Sequence, residues 1–519
     1  MTTTTASHPT GLENAAGAAE ALARGAPALV WRKVIADSDT PVGAARRLIV
    51  PGRGDFLLES VEGGEVRGRY SLLGLDPDLV FRASAGEAAI NRNWKHDRDA
   101  FEPCAGNALA ELRALADACR VDVPEGVANP LPPALACLVG YFGYETIGLV
   151  ETLPRAPQSE LALPDLLFVR PTVILVFDSL SDALFCIAPV WSTDNPEAAI
   201  EAASDRIDET LRTLAQSRPE ETRFGGDIGK PELSPVLAAD DYKAMVARAK
   251  DYIVAGDIFQ VVLAQRFTCP FTLPPLDLYR ALRRVNPSPF LYFLDLPGFA
   301  IVGSSPEILV RVRANDKDKR EVTIRPIAGT RPRGKTRVED DANEASLLAD
   351  PKERAEHLML LDLGRNDVGR VAAKGSVEVT DSFTIERYSH VMHIVSNVIG
   401  ELAEDKDAID ALFAGFPAGT VSGAPKIRAC EIIAELEPET RGAYAGGVGY
   451  FAPDGSVDSC IVLRTAVVKD EVMHVQAGAG IVADSDPDYE LAECRAKAGA
   501  LIAAAREAVR VASEPGFGQ

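Results

Sequence analysis

The pattern of apolar and polar positions differs between the two halves of the chain. In the first half it predicts strands that alternate with helices, and in the second half it predicts strands that follow one another closely. Apolar residues at helical spacing predict helices at 108–119, 196–217, 240–256, 340–363, 408–413, 423–436 and 489–511. Runs rich in β-branched and aromatic residues predict strands at 56–60, 70–73, 166–170, 172–177, 183–187, 257–267, 290–294, 300–303, 308–312, 322–327, 446–451, 460–468 and 472–477. Consecutive strands with short connections favour antiparallel pairing. The sequence therefore predicts an α+β protein with large antiparallel β-sheets covered by helices.

A polar segment rich in Pro and Gly at 216–240 is predicted to be a linker. It separates an N-terminal domain, expected at 29–215, from a second domain, expected at 241–512. The first 28 residues are rich in Thr, Ala and Gly and lack the apolar run of a secretory signal, so we expect a flexible tail there.

Composition and charge narrow the class of protein. The 519 residues are 47% hydrophobic and 25% charged, which is typical of globular enzymes with more than one core. The formal net charge of −22 disfavours nucleic acid and anionic membranes as partners. No apolar run approaches the roughly 20 residues of a membrane span. The eight scattered cysteines show no metal-like spacing, which favours a reducing cytoplasm.

Two Glu-x-x-Glu pairs are candidate metal ligands. Glu353 with Glu356, and Glu490 with Glu493, each share one face of a predicted helix, because residues three apart are neighbours there. Carboxylates suit Mg²⁺, which prefers oxygen ligands and leaves part of its shell to water and substrate. Most Glu pairs of this kind simply lie on the solvent-exposed face of a helix. Each pair here adjoins cationic residues or His, which favours a functional role.

Glycine loops and isolated polar residues are candidate contacts for a small anion. Glycines let backbone N–H groups approach an anion closely, and they occur in loops at 328–330, 419–423, 446–449 and 478–480. Arg464 interrupts an apolar strand and needs a partner or a ligand, although a position at a sheet edge would also explain it. Tyr450 offers a hydroxyl, whereas His393 lies among apolar residues, where a satisfied core His is the commoner case.

One segment fits two functions. Residues 329–336 satisfy the G-x-x-x-x-G-K-[ST] pattern of a phosphate-binding loop, and the run from Leu358 to Asp362 resembles one that ends in a Mg²⁺-binding Asp. A nucleotide-dependent phosphotransferase that uses Lys335 is therefore one hypothesis. The alternative is that Pro326-Ile-Ala-Gly-Thr330 contacts a substrate carboxylate.

Six segments closely resemble, in order, the motifs of the chorismate-utilising enzymes. They are Asp257-Ile-Phe-Gln-Val-Val-Leu-Ala-Gln265, Gly303-Ser-Ser-Pro-Glu307, Pro326-Ile-Ala-Gly-Thr330, Glu356-His-Leu-Met-Leu-Leu-Asp-Leu-Gly-Arg-Asn-Asp367, Phe416-Pro-Ala-Gly-Thr-Val-Ser-Gly-Ala-Pro425 and Gln476-Ala-Gly-Ala-Gly480. The resemblance extends from about Trp31 to the final helix and is greatest to the members that form anthranilate. It implies the family's fold, in which antiparallel sheets pack as a sandwich under helices.

The resemblance implies a role for each candidate residue. Glu356 and Glu493 would bind Mg²⁺, which binds the ring carboxylate of chorismate, and Glu353 and Glu490 would support them. The implied substrate contacts are Tyr450, Arg464, Gly478, Ala479 and Gly480 at the enolpyruvyl carboxylate, and Ala328, Gly329 and Thr330 at the ring carboxylate. Glu307 would protonate the departing ring hydroxyl, and His393, with Thr420 nearby, would handle the ring proton during pyruvate elimination.

Two positions favour ammonia as the nucleophile. Relatives that form isochorismate or salicylate carry a water-activating Lys where this chain has Gln260, and aminodeoxychorismate synthases commonly carry a Lys where this chain has Ala328. The resemblance therefore implies a lyase that aminates chorismate and eliminates pyruvate, the first step of tryptophan biosynthesis. An aminodeoxyisochorismate synthase that retains pyruvate, an aminodeoxychorismate synthase and a non-catalytic tryptophan-binding regulator are the alternatives.

The resemblance also implies partners and regulation. The chain has no Gly-x-Cys-x-Gly-His elbow, so ammonia would come from a separate glutamine amidotransferase subunit, in a heterotetramer of two large and two small subunits. Leu57-Leu-Glu-Ser60 and the segment 286–291 resemble the family's feedback site for L-tryptophan. The inhibitor would contact Glu59, Ser60, Pro289, Phe290 and Leu291.

Overall fold

Two large antiparallel sheets form the framework of the protein. The computed structural model describes residues 11–62, 66–122, 130–191, 193–216, 229–388 and 391–513. The first strands are β1 (Ala28–Ile35), β2 (Asp55–Glu59), β3 (Val61–Glu62), β4 (Val66–Arg67), β5 (Tyr70–Leu75), β6 (Leu79–Ser84), β7 (Glu87–Asn91), β8 (Glu102–Pro103), β9 (Leu138–Phe142), β10 (Leu166–Arg170), β11 (Val173–Asp178), β12 (Ala183–Val190) and β13 (Ser234–Pro235). The later strands are β14 (Gln260–Pro270), β15 (Phe290–Leu296), β16 (Phe299–Ser305), β17 (Ile308–Ala314), β18 (Arg320–Ile324), β19 (Ile327–Pro332), β20 (Glu378–Arg387), β21 (Val391–Glu401), β22 (Gly423–Ala424), β23 (Gly447–Phe451), β24 (Val457–Ile461), β25 (Thr465–Lys469) and β26 (Val472–Ile481).

Helices cover the outer faces of the sheets. They are α1 (Ala15–Ala23), α2 (Pro41–Leu48), α3 (Ala108–Ala118), α4 (Pro196–Ala215), α5 (Ala239–Ala255), α6 (Pro275–Val285), α7 (Arg337–Ala349), α8 (Pro351–Gly369), α9 (Ala408–Ala414), α10 (Lys426–Leu436) and α11 (Pro487–Ser513). None of these helices of the described residues is long and apolar enough to cross a membrane.

Local chemistry corrects three predicted elements. The helix predicted at 340–363 is two helices, because Asp350 accepts hydrogen bonds from the first N–H groups of α8 and Pro351 starts that helix. The helix predicted at 423–436 starts only at Lys426, because β22 pairs with β14. The strand predicted at 460–468 is interrupted between β24 and β25.

Each sheet contains strands from both halves of the chain. One twelve-stranded sheet has the order β1-β12-β11-β5-β2-β15-β16-β25-β26-β14-β13, with β22 beside β14. The other has the order β19-β21-β18-β17-β24-β23-β9-β10-β6-β7-β8, with β20 beside β21. The two halves meet where β2 pairs with β15 and where β9 pairs with β23. The domain limits at 215 and 241 stay predictions about the sequence, and positions 217–228 of the expected linker lie outside the described residues.

Apolar side chains from both sheets form the core between them. Tyr292 and Ile301 of the first sheet share one hydrophobic cluster with Val139 and Tyr141 of the second. The structure therefore confirms the predicted sandwich of antiparallel sheets. Within the expected tail, α1 is ordered and packs on the first sheet through Ala18 and Leu22, both buried.

Candidate functional site

The two predicted carboxylate pairs converge at the start of β14. The Gln260 Nε2 donates a hydrogen bond to Glu356 Oε1 at 3.2 Å, which joins β14 to α8. Burial raises the pKa of Glu356, and the negative charges of Glu353 and Glu493 raise it further. Burial also raises the pKa of Glu490, with a further contribution from Glu493. The structure thus brings α8 and α11 together as a site of mutually repelling carboxylates, which a cation would stabilise.

Two cationic side chains partly neutralise this cluster. Lys497 Nζ lies 2.7 Å from Glu493 Oε1 and donates to the Gly478 carbonyl at 3.0 Å. Arg331 pairs with Glu353 at 2.8 Å. Among the described residues, no three His, Cys, Asp or Glu side chains are already arranged around one point. The donor set nevertheless suits Mg²⁺, because that ion is usually held by one or two carboxylates, with water and substrate oxygens completing its shell.

The glycines of β26 bring its backbone against the same cluster. A Cβ at Gly480 would lie 2.6 Å from Gln260 Nε2, and one at Gly478 would lie 2.9 Å from the Tyr444 hydroxyl. The backbone N–H of Gly478 hydrogen-bonds that hydroxyl. Tyr444 therefore lies beside the glycines of β26, which its sequence context did not predict. Its only sequence signal is its place directly before the glycines of 446–449.

Arg464 lies between β24 and β25 rather than within a strand. Its backbone is left-handed, with φ of 47°, a strained conformation for a residue with a side chain. Burial lowers the pKa of Arg464, and within the described ranges its guanidinium makes no ion pair or hydrogen bond. A partly buried guanidinium without a carboxylate is suited to an anionic ligand.

His393 faces the glycine loop of β19. Its Nδ1 lies 2.8 Å from the Gly329 carbonyl and 3.1 Å from Thr330 Oγ1. A carbonyl only accepts, so Nδ1 carries the proton and Nε2 keeps a free lone pair. Burial lowers the pKa of His393, and the positive charge of Arg464 lowers it further. His393 is therefore a neutral imidazole that can accept a proton.

Glu307 lies between β16 and β17 and is buried. Thr420 Oγ1 is 3.2 Å from each carboxyl oxygen. Burial raises the pKa of Glu307 to about 8, although the Thr420 hydroxyl and the Ile327 backbone N–H oppose the shift. No cation in the described part of the chain pairs with it, so the carboxyl group keeps its proton at neutral pH and can act as a general acid.

The loop from Ala328 to Thr330 borders the carboxylates. Gly329 has φ of 65°, and a Cβ there would lie 3.1 Å from Glu353 Oε2. Ala328 is buried and pairs with Ile394 of β21. The structure thus brings this loop together with His393 and α8.

The phosphate-loop interpretation of 329–336 is wrong. The Gly334 N–H donates to Asp340 Oδ1 and the Lys335 N–H donates to Glu339 Oε2, both at 2.8 Å, so carboxylates already occupy the expected phosphate donors. The run that ends in Asp362 is helical rather than a strand, and Asp362 is exposed and pairs with Arg365.

Tyr450 does not join this group. Its hydroxyl hydrogen-bonds to Arg313 beside Asp458, and its ring lies in the hydrophobic cluster between the sheets. Phe290 and Leu58 belong to the same cluster. Within the described residues, Tyr450 is therefore not brought together with Arg464 or the glycines of β26.

The residues expected to bind tryptophan lie where β2 meets β15. Glu59 is directly opposite Leu291 in the register of these strands, with Ser60, Pro289 and Phe290 adjacent in the chain. The Glu59 carboxylate accepts from Tyr279 at 2.6 Å and from two Arg283 nitrogens at 2.8 and 2.9 Å. Glu59 therefore connects β2 to α6, and both of its carboxylate oxygens accept hydrogen bonds from protein groups.

Comparisons with known proteins agree on one family. The model of the chorismate binding enzyme family matches residues 55–503. Anthranilate synthase component 1 of Cereibacter sphaeroides is 52% identical over 94% of this chain and 97% of its own, and that of Thermus thermophilus is 47% identical over 91% and 97%. The crystal structure of anthranilate synthase component I from Streptococcus pneumoniae superposes with a TM-score of 0.74 at 34% identity, covering 90% of this chain and 99% of its own. The isochorismate synthase MenF of Escherichia coli, at 19% identity and a TM-score of 0.67 over 94% and 99%, shares the fold.

Proposed function

Because the chain belongs to the family of chorismate-binding enzymes, we propose that it aminates chorismate with ammonia and eliminates pyruvate, forming anthranilate. The observation that carries this choice is the buried amide of Gln260. Its Oε1 has no hydrogen-bond donor among the described residues, whereas its Nε2 is held by Glu356. Ammonia brings N–H donors to this orphaned acceptor, and an amide cannot act as the base that activates water.

The positions of the hydrogen-bond donors and of the carboxylates indicate how chorismate would bind. Arg464, the Tyr444 hydroxyl and the backbone from Gly478 to Gly480 would hold the enolpyruvyl carboxylate. The loop from Ala328 to Thr330 would border the ring carboxylate. Mg²⁺, held by Glu356 and Glu493, would neutralise that carboxylate and fix the orientation of the ring. Glu353 and Glu490 would orient these ligands.

Two buried side chains, Glu307 and His393, carry out the proton transfers. Glu307 donates its proton to the departing ring hydroxyl, which leaves as water when ammonia bonds to the ring. The amine nitrogen then loses a proton to solvent. His393 Nε2 next takes the ring proton as the bond between the ring carbon and the ether oxygen breaks, and the side chain leaves as enolpyruvate. The imidazolium returns its proton, and the enolpyruvate gains one at its methylene carbon to become pyruvate. Thr420 holds the Glu307 carboxyl group in place for the first step.

Anthranilate formation is tested with the purified chain, chorismate, Mg²⁺ and an ammonium salt. We expect fluorescent anthranilate and an equal amount of pyruvate, detected through lactate dehydrogenase. Aminated product without pyruvate would indicate an enzyme that stops before elimination. Isochorismate formed from water, with no product from ammonium, would contradict the role of Gln260.

We also propose that a glutaminase subunit supplies the ammonia in the cell, in a heterotetramer of two large and two small subunits. The name component 1, borne by the similar proteins, supports a second component. A cytoplasmic location is supported by the eight cysteines, all of them unpaired. Glutamine should replace ammonium only when this second subunit is added.

We propose that L-tryptophan inhibits the enzyme by binding where β2 meets β15. Because β2 and β15 come from the two halves of the chain, the inhibitor would bias the packing around the substrate site. Millimolar tryptophan should raise the apparent KM for chorismate several-fold in steady-state assays. The Phe290→Ala variant should lose most of this rise, whereas Phe101→Ala, in the same hydrophobic cluster, should keep it. An unchanged KM in the wild-type chain would contradict the site.

A further inference from the structure

Gly364 is a buried glycine in the interior of α8, the helix that carries Glu353 and Glu356. Glycine destabilises a helix interior relative to alanine, so its presence needs a reason. Crowding is not that reason. A Cβ at Gly364 would meet Ile324 Cγ2 at 3.6 Å and Pro326 Cγ at 3.7 Å, which are ordinary contacts. What the missing side chain leaves open is space.

This space is part of a small cavity of about 20 Å³ on one side of Glu307, which is room for a single water molecule. Its polar lining consists of Glu307, Thr420 and Asp367, and most of the remaining lining is apolar or glycine. Gly364 and Asp367 are three residues apart and so share a face of α8. A buried water needs two to four polar partners, and this cavity supplies them beside the general acid.

Charged groups continue from the cavity toward the surface. Asp367 forms a buried ion pair with Lys426 Nζ at 2.9 Å. The positive charge of Arg370, one turn of α8 further on, also acts on Asp367. Arg370 is exposed and pairs with Glu151 at 3.2 Å. These groups place charges between the cavity and the exposed end of α8, and the cavity is lined by neither Gln260, Arg464 nor His393.

The proposed reaction creates a need for such a path. In each turnover the ring carbon–oxygen bond breaks, the oxygen takes the Glu307 proton, and one water forms beside Glu307. Ammonia's nitrogen bonds to the ring and releases one proton to solvent. One water must therefore leave, and one proton must return to Glu307, before the next turnover.

We propose that the cavity beside Gly364 is the route by which the departing water leaves and a solvent proton returns to Glu307. The inference rests on the proposed function and adds to it the residues that serve proton return. Asp367, held by Lys426, is a positioning residue that orients water in the cavity. Gly364 keeps the route open because any side chain there would narrow it.

The test compares Gly364→Ala and Gly364→Val with Gly369→Ala, a matched control at the end of the same helix, where a Cβ meets nothing within 4 Å. With saturating ammonium and chorismate, we expect kcat to fall several-fold in Gly364→Ala and at least tenfold in Gly364→Val. The solvent deuterium isotope effect on kcat should rise in the same order, because proton return becomes slower. The KM for chorismate, the affinity for Mn²⁺ and the thermal midpoint should stay close to those of the control.

Two results would overturn the proposal. One is a wild-type kcat and isotope effect in both Gly364 variants. The other is a joint loss of kcat, chorismate affinity and Mn²⁺ affinity, which would mean that α8 has shifted and that the cavity is only packing space. A wild-type chain that makes no anthranilate from ammonium would refute the proposed function, and the inference with it, before any variant is compared.

Discussion

Replacing Glu307 with Gln is expected to lower kcat for anthranilate formation by about 10²- to 10⁴-fold, the usual contribution of a general acid. Gln has nearly the shape of the protonated acid and keeps a hydrogen bond to Thr420, but it has no proton to give to the departing hydroxyl. The KM for chorismate should therefore change little. Steady-state fluorescence of anthranilate measures both constants, and Thr420→Val should give a smaller loss of kcat.

The pH dependence provides a second check on Glu307. Burial raises the pKa of Glu307 to about 8, and only the protonated form can act. With the concentration of free ammonia held constant, kcat should be level below about pH 8 and should fall about tenfold per unit above it. A Gln variant within tenfold of wild type, or a kcat that rises through pH 8, would exclude Glu307 as the acid.

Replacing Glu356 with Gln is expected to weaken metal binding by about 10²- to 10³-fold, comparable to removing one partner of a buried charge pair. The change keeps the size of the side chain but removes a charged oxygen ligand. It also leaves the Gln260 amide beside a second amide. Both kcat/KM with Mg²⁺ and the directly measured dissociation constant of Mn²⁺ should change in parallel.

Glu353→Gln is the matched comparison for that variant. Glu353 lies on the same helix, but its carboxylate is paired with Arg331, so we expect a loss of only about 10- to 100-fold, typical of residues that support a ligand. Equal effects of the two substitutions would contradict the assignment of Glu356 as a direct ligand. So would Mn²⁺ binding that is unchanged in Glu356→Gln.

Most local elements could be predicted from the sequence. The predicted helix at 108–119 matches α3, and the strand predicted at 290–294 matches the start of β15, because apolar spacing reports which face of an element is buried. The residues at which helices and strands begin and end were less predictable. Hydrogen bonds from backbone N–H groups to side chains often determine where a helix begins, and Asp350 accepts such bonds at the start of α8.

Tyr444 and Tyr450 illustrate what sequence alone could not resolve. They lie six residues apart around the same glycines, and both offer a hydroxyl. Only the folded structure shows that Tyr444 reaches Gly478 and that Tyr450 turns to Arg313 between the sheets. Which tyrosine lies beside the glycines of 478–480 thus depends on β26, a strand separate in the chain from both.

The sequence by itself determined the family, the α+β class and the residues available for chemistry, because these depend on the order of motifs and on the types of side chain. The tertiary structure decided how those residues act. It placed α8 and α11 so that their carboxylates repel one another, and it buried Glu307 so that this group keeps its proton. Among the described residues it also left the Arg464 guanidinium and the Gln260 Oε1 without a hydrogen-bond partner. These properties depend on burial and on distances between remote segments, and neither can be read from neighbours along the chain.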